Sequence, residues 1–226
     1  MMNSLAKSPH HKNCLGVLLA GGLSSRMGSD KAFLERNLST SIKTSSIKTN
    51  YHENMLSFST AQLKKSGVDN VVISGKKHGI ADQFENLGPM GGIYTIIKKY
   101  QPKALLILPV DLPLINSDTL KQLKRVGELS QQACFYHDNY LPLYLPITAF
   151  VEQFFTQTFM PFKQSKPSIK GPSIKALLAQ TPHKCLTLHN SQCLFNANTP
   201  EQWQQAKKKF QLQSPHHILQ NRKNYV

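Results

Sequence analysis

Acidic side chains are scarce in this chain. Its 226 residues hold 12 Asp and Glu against 27 Lys and Arg, a formal charge of +15 with histidine neutral. Such an excess concentrates anions at the surface, whether nucleotides, phosphorylated metabolites, nucleic acid or acidic lipid head groups, without choosing among them. Cysteine is sparse too. Cys14, Cys134, Cys185 and Cys193 are widely spread with no C-x-x-C pair, which argues against a disulfide framework and for a reducing, cytoplasmic setting. Cys185, His189 and Cys193 would share a helical face, but the stretch CLTLHNSQC alternates like a strand and supplies no fourth ligand, so no metal is expected there. Long apolar runs are missing. ALLILPV, Ala104 to Val110, falls far short of a membrane span, and the polar opening MMNSLAKSPHHKNC is unlike a secretory signal. Aromatic residues make up 8% of the chain without a stacking pattern, and no nucleic-acid-binding motif occurs, so nucleic acid is not the expected anion. The two common phosphate-loop fingerprints, G-x-x-x-x-G-K-S/T and G-x-G-x-x-G, are absent as well.

The remaining composition is that of an ordinary globular protein, 40% apolar and 17% charged, and a chain of this size buries roughly 70% of its extended surface. Leu15 to Leu19 reads as a buried first strand. The polar, basic stretch Asn37 to Asn50 reads as a solvated loop. A helix is predicted from Tyr51 to Ser66, stopped by Gly67, and a strand follows at Asn70 to Gly75. Ile93, Ile96, Ile97 and Tyr100 recur on one helical face. ALLILPVDLP is a continuous apolar strand ending at a carboxylate, and Ser117 is the expected cap of a helix that buries Leu120 and Leu123. Alternating strands and helices predict an α/β fold: a mostly parallel, Rossmann-like open sheet with helices on both faces. Beyond Cys134 the pattern loosens. The prolines of DNYLPLYLPI argue against a central strand. Helices are predicted at Ala149 to Thr158 and from a Ser173 cap through Ala179. A last one is entered by Thr199, Pro200 and a capping box closed by Gln202. We expect a single domain over 15–211, with tails at 1–14 and 212–226.

Function concentrates in LGVLLAGGLSSRMGSDKAFL, Leu15 to Leu34. Gly21 and Gly22 let the backbone turn tightly and approach a bound group, and successive N–H groups in such a turn cradle oxyanions. Arg26 adds a fork of donors and Lys31 a mobile charge. In an open parallel sheet, ligands bind beyond the carboxyl ends of the strands. The loop after the first strand and Asp111 after the third therefore meet at one edge. The segment LAGGLSSRMGSDKA resembles the loop L-A-G-G-x-x-x-R-M-G-x-D-K of nucleotidyltransferases that activate sugars and cofactors, and most resembles that of the molybdenum cofactor guanylyltransferases. Three further stretches agree, in family order: GPMGGI (Gly88 to Ile93) with G-P-L-x-G-I/L, LPVDLPLI (Leu108 to Ile115) with P-x-D-x-P-F/Y-I/L, and FNANTPEQW (Phe195 to Trp203) with F-x-N-I/V-N-T-P-E-E/D-L/W.

That resemblance implies Mg²⁺-dependent transfer of GMP from GTP to the terminal phosphate of molybdopterin. The nucleotide-binding half would be about 15–130 and the pterin half about 131–211, with molybdenum-insertion or acceptor enzymes as further partners. It implies that the Leu19, Ala20, Gly21 and Gly22 backbone meets guanosine and that Lys31 neutralises the triphosphate. Arg26 would hold the leaving pyrophosphate and Asp111 would bind Mg²⁺. Ser173, Lys175, Asn196 and Asn198 would face the pterin, although Asn198 serves equally well as a helix-entry residue, and Gly88, Gly91 and Gly92 as packing glycines. Two places depart from the family. Ser74 in VVISGKK stands where the family has a guanosine-contacting asparagine, and the family's middle aspartate has Asp82 as its nearest counterpart, then Glu85. Both bear on base choice, leaving open a cytidylyl or sugar-phosphate nucleotidyltransferase. A polyanion-binding protein that exploits the charge is the remaining alternative.

Overall fold

A computed structural model of the chain describes residues 14–21, 27, 30–38, 51–164, 171–188 and 190–213. Its elements are β1 Leu15–Leu19, β2 Glu35–Leu38, β3 Tyr51–Asn54, α1 Met55–Lys65, β4 Asn70–Ser74, α2 Pro89–Tyr100 and β5 Ala104–Pro109. They continue with α3 Ser117–Ser130, β6 Ala133–Tyr136, β7 Asn139–Pro146, α4 Ala149–Gln164, α5 Ile174–Leu178, β8 His183–Leu186 and α6 Pro200–Gln213. Short 3-10 turns cover Lys31–Phe33 and Ser191–Leu194. Six strands form one open sheet in the order β4-β1-β5-β7-β6-β8, and β2 pairs with β3 in a separate ribbon. β4, β1 and β5 run parallel, as do β6 and β8, while β7 runs antiparallel to both neighbours.

The continuous apolar character of β1 and β5 follows from cover on both faces. Leu18, Leu106 and Leu108 pack with Met55, Phe58 and Leu63 of α1, Leu120 and Leu123 of α3, and Trp203 and Phe210 of α6. Their neighbours Val17, Leu19, Leu105 and Ile107 face the other way, onto Ile93 and Ile96 of α2 and Phe155 and Phe159 of α4. There the Tyr94 and Phe159 rings stack at 4.2 Å.

The molecule departs from the sequence-based expectation in several places. Tyr51 to Asn54 is a strand rather than the first turn of a helix, paired with Glu35–Leu38; α1 starts only after Asn54, whose side chain accepts from Ser57 N at 2.9 Å. The cap of α3 is Asn116, accepting from Thr119 N at 2.8 Å, one residue before the expected Ser117. α4 runs to Gln164, past Thr158. The largest correction is β7, a central strand despite its prolines. Phe135 pairs with Leu143 but Tyr136 with Asn139, so Pro142 sits in an interruption of that ladder, and pairing with β5 reaches only Leu143. Pro146 closes the strand. Neither ring removes a needed donor, the condition under which a strand tolerates proline. Of the predicted loop Asn37 to Asn50, residues 39–50 lie outside the described residues, as do 1–13 and 214–226 of the tails.

From β1 the chain passes to β4 on one side and then returns to β5 on the other. Such a reversal opens a crevice at the carboxyl ends of β1 and β5. Those ends lie side by side: Leu19 pairs with Pro109, and Val110 N donates to Leu19 O at 3.1 Å.

Candidate active site

Three distant segments meet at this crevice. Lys31 opens the 3-10 turn that follows the β1 loop, Asp111 stands just past β5, and Asn198 precedes α6. Lys31 Nζ donates to Asp111 Oδ2 at 3.2 Å and to Asn198 Oδ1 at 2.5 Å, across 80 and 167 residues of sequence. Ala197 N donates to Asp111 O at 3.0 Å, tying the same two segments through backbone. Both members of the ion pair are largely covered, with side-chain exposures of 16% for Lys31 and 19% for Asp111. The remaining Asp111 oxygen, Oδ1, is buried with no partner among the described residues. An unpaired buried carboxylate oxygen is costly and calls for a donor or a cation.

Asn198 is held by the entry to α6. Gln202 Oε1 accepts from Asn198 N at 2.7 Å and Thr199 N at 3.1 Å, and Gln202 N donates back to Thr199 Oγ1 at 3.3 Å. This is the expected capping box, and it serves a turn that places a side chain on the crevice lysine. Asn198 is thus both the helix-entry residue and a partner of Lys31.

Ala20 and Gly21, just past β1, pack against the end of β4 and the residue after it. Ala20 N donates to Ser74 O at 2.8 Å. Gly75, at φ 142°, has no room for a side chain, since a Cβ there would lie 2.8 Å from Gly21 N. Gly21 is exposed and Ala20 half-buried. Gly22 and Arg26 lie outside the described residues, and Met27 is buried in the core.

Ser74 and Asp82 form a second wall. Ser74 is buried and its Oγ donates to Asp82 Oδ1 at 3.4 Å. Gly92, in the first turn of α2, lies against both groups. Burial raises the Asp82 carboxyl above its ordinary pKa, with the Ser74 hydroxyl opposing the shift. Glu85 turns instead to Lys76 at 3.3 Å, where both side chains are exposed, so Asp82 is the acid of this wall.

The other expected substrate residues are placed differently. Ser173 caps α5, accepting from Ala176 N at 3.1 Å, and is exposed. Lys175 lies in the same short helix and Asn196 is exposed beside Ala197. The Lys31–Asp111–Asn198 contacts include none of these three. One contact had no sequence signal: His78 Nε2 lies 2.9 Å from Asp30 Oδ2, next to Lys31.

A nucleotide-binding α/β protein is the class that this crevice defines, with Gly21, a lysine and an aspartate gathered beyond the carboxyl ends of β1 and β5. Residues 16–157 match the MobA-like NTP transferase domain, and the chain belongs to that family of nucleotidyltransferases. It is 33% identical over 196 residues to a molybdenum cofactor guanylyltransferase of Xanthomonas euvesicatoria, a match covering 83% of this chain and 91% of that protein. Its fold is similar to the crystal structure of molybdopterin-guanine dinucleotide biosynthesis protein A from Archaeoglobus fulgidus, with a TM-score of 0.61 and 16% identity over 86% of this chain and 97% of that one. A Mycobacterium tuberculosis protein solved as a manganese complex is similar in fold at a TM-score of 0.51, with 13% identity over 87% and 98% of the two chains. No helix among the described residues is long and apolar enough to cross a membrane.

Proposed function

We propose that the protein transfers GMP from GTP to the terminal phosphate of molybdopterin, releasing pyrophosphate, in a reaction dependent on Mg²⁺. An oxygen of the pterin phosphate attacks the α-phosphorus, and the bond from that phosphorus to the pyrophosphate breaks. Both reactants are anions, so positioning and charge neutralisation count for more than a general base. The observation that carries the reading is Lys31 held between Asp111 and Asn198 while Asp111 Oδ1 has no partner among the described residues. A carboxylate with one oxygen on a lysine and the other free fits a small divalent cation, which needs only one or two protein carboxylates besides phosphate oxygens. When bound, that cation neutralises charge on the α-phosphate.

The chain's own groups do the rest. The backbone of Leu19, Ala20, Gly21 and Gly22 receives the nucleoside. Ser74 and Asp82 lie where the base is read. Lys31 exchanges Asn198 for phosphate oxygens, Arg26 holds the pyrophosphate, and Asn196 with Ser173 and Lys175 faces the pterin. The curated relative's activity supports guanine as the base. A GTP-consuming enzyme with four free cysteines belongs in the cytoplasm, where molybdenum-insertion or acceptor enzymes would receive the product.

The test is calorimetric titration of GTP, CTP and ATP with Mg²⁺ into wild type, Asp111→Ala and Lys31→Ala, followed by turnover with molybdopterin. Selective GTP binding is expected, weakened about ten- to a hundredfold in Lys31→Ala, as for loss of a charge-assisted hydrogen bond. In Asp111→Ala the dependence on Mg²⁺ should disappear. A preference for CTP would move the enzyme to cytidylyl transfer; absence of nucleotide binding would overturn the catalytic reading.

A further inference from the structure

We propose that His78 is a positioning residue for the phosphate-binding lysine, acting through Asp30. The proposal rests on the reading that Lys31 contacts the triphosphate. Asp30 precedes Lys31 and caps its 3-10 turn, its Oδ1 accepting from Ala32 N at 3.2 Å. Its other oxygen, Oδ2, is 2.9 Å from His78 Nε2. An ionised carboxylate only accepts, so the ring nitrogen donates. The His78 side chain is 5% exposed, and its ring meets the edge of Phe33, in the same turn, at a centroid distance of 5.0 Å. Lys77 approaches Asp30 Oδ2 only to 3.9 Å with 81% of its side chain exposed. It is a poor substitute for a buried donor.

What makes His78 a fixed support is its own backbone. Gly75 N donates to Ile80 O, Gly79 N to Gly75 O and Ile80 N to Ile73 O, at 2.8, 2.9 and 2.8 Å, which closes residues 75–80 onto the end of β4. The loop that begins with the base-side residues Ser74 and Gly75 therefore also grips the turn carrying Lys31. To reach phosphate, the Lys31 ammonium must leave Asn198, while the backbone end of the residue stays in place. The Asp30–His78 bond supplies that fixed end. Its loss therefore weakens recognition of the β- and γ-phosphates and spares the nucleoside. A histidine that merely fills space would affect stability alone.

The experiment measures Kd for GTP and for GMP, each with Mg²⁺, together with thermal melting, in the full chain. His78→Phe keeps a ring against Phe33 but cannot donate; His78→Gln restores a donor. We expect His78→Phe to weaken GTP about tenfold, the scale of one hydrogen bond to a charged group, with GMP changed by less than about twofold. His78→Gln recovers most of the loss, and His78→Phe adds nothing in an Asp30→Ala background. Equal weakening of GTP and GMP, or a lower melting temperature with unchanged affinities, would overturn the proposal. Wild-type GTP binding with an unaffected His78→Phe removes only the role of His78, whereas no GTP binding by wild type removes the reading beneath it.

Discussion

Replacing Gly92 by Ala tests whether Ser74, Asp82 and the first turn of α2 form one wall. A Cβ built on Gly92 falls inside van der Waals distance of Ser74 Oγ, but lies 3.3 Å from Asp82 Oδ1 and 3.4 Å from Ser74 Cβ. The hydroxyl is therefore the obstacle, and Ser74 is buried. Rotating the hydroxyl away breaks its 3.4 Å bond to Asp82 and leaves it unsatisfied, which costs about 1–3 kcal/mol. A helical Gly→Ala exchange returns about 0.5–1 kcal/mol, so Gly92→Ala should lose up to about 2.5 kcal/mol net. Ser74→Ala alone forfeits a long hydrogen bond, about 0.5–1.5 kcal/mol. In the double variant the obstacle is gone and the helix-propensity gain stands uncancelled, so its stability should match or exceed that of Ser74→Ala. The coupling is then about 1–3 kcal/mol, well outside additivity. Urea denaturation measures it as a shift in midpoint at constant m. Additive effects would refute the packing argument, because two side chains that never meet cannot couple.

Gln202→Ala removes the acceptor shared by two backbone N–H groups; it should cost about 1 kcal/mol in urea denaturation and weaken Mg²⁺–GTP binding, while Gln202→Glu should retain both. Arg36→Ala should lower stability by about 3 kcal/mol in the same assay. Its guanidinium lies 3.4 Å over the Phe58 ring, 4.4 Å over Phe210 and 3.2 Å from Glu53, so Arg36→Lys will not rescue it. For Asp30, burial is outweighed by the Ala32 N–H and His78, and the carboxyl lies below its ordinary pKa. Its contribution is complete above the ordinary aspartate range and is lost as pH falls through the lowered native value, so Asp30→Asn should flatten the acid limb of a stability–pH curve. Asp82 has the opposite sign. Its raised native pKa makes stability fall as pH climbs through that value, and Asp82→Asn should gain stability at neutral pH while losing nucleotide affinity.

Local chemistry was readable wherever a local rule decides the outcome. The apolar runs of β1 and β5, the Ile93, Ile96 and Ile97 face of α2, and the caps at Ser173 and Thr199 all stand where the pattern put them. The same holds for Lys31 and Asp111, because strand order in an α/β sheet sends both to one edge. Tyr51 to Asn54 defied its local pattern because pairing with β2 outweighed it, and β7 became central because its prolines fall where the ladder is broken. Those outcomes depend on partners far along the chain.

The sequence by itself therefore determined the class of fold, the family and the sheet edge at which Lys31 and Asp111 meet, since periodicity, caps and a glycine loop are short-range properties. Only the tertiary structure decided that Asn198 meets Lys31, that Asp82 rather than Glu85 faces Ser74, and that His78 supports Asp30. Each of these joins segments whose approach is set by sheet order and loop closure, and no local pattern encodes a distance across the fold.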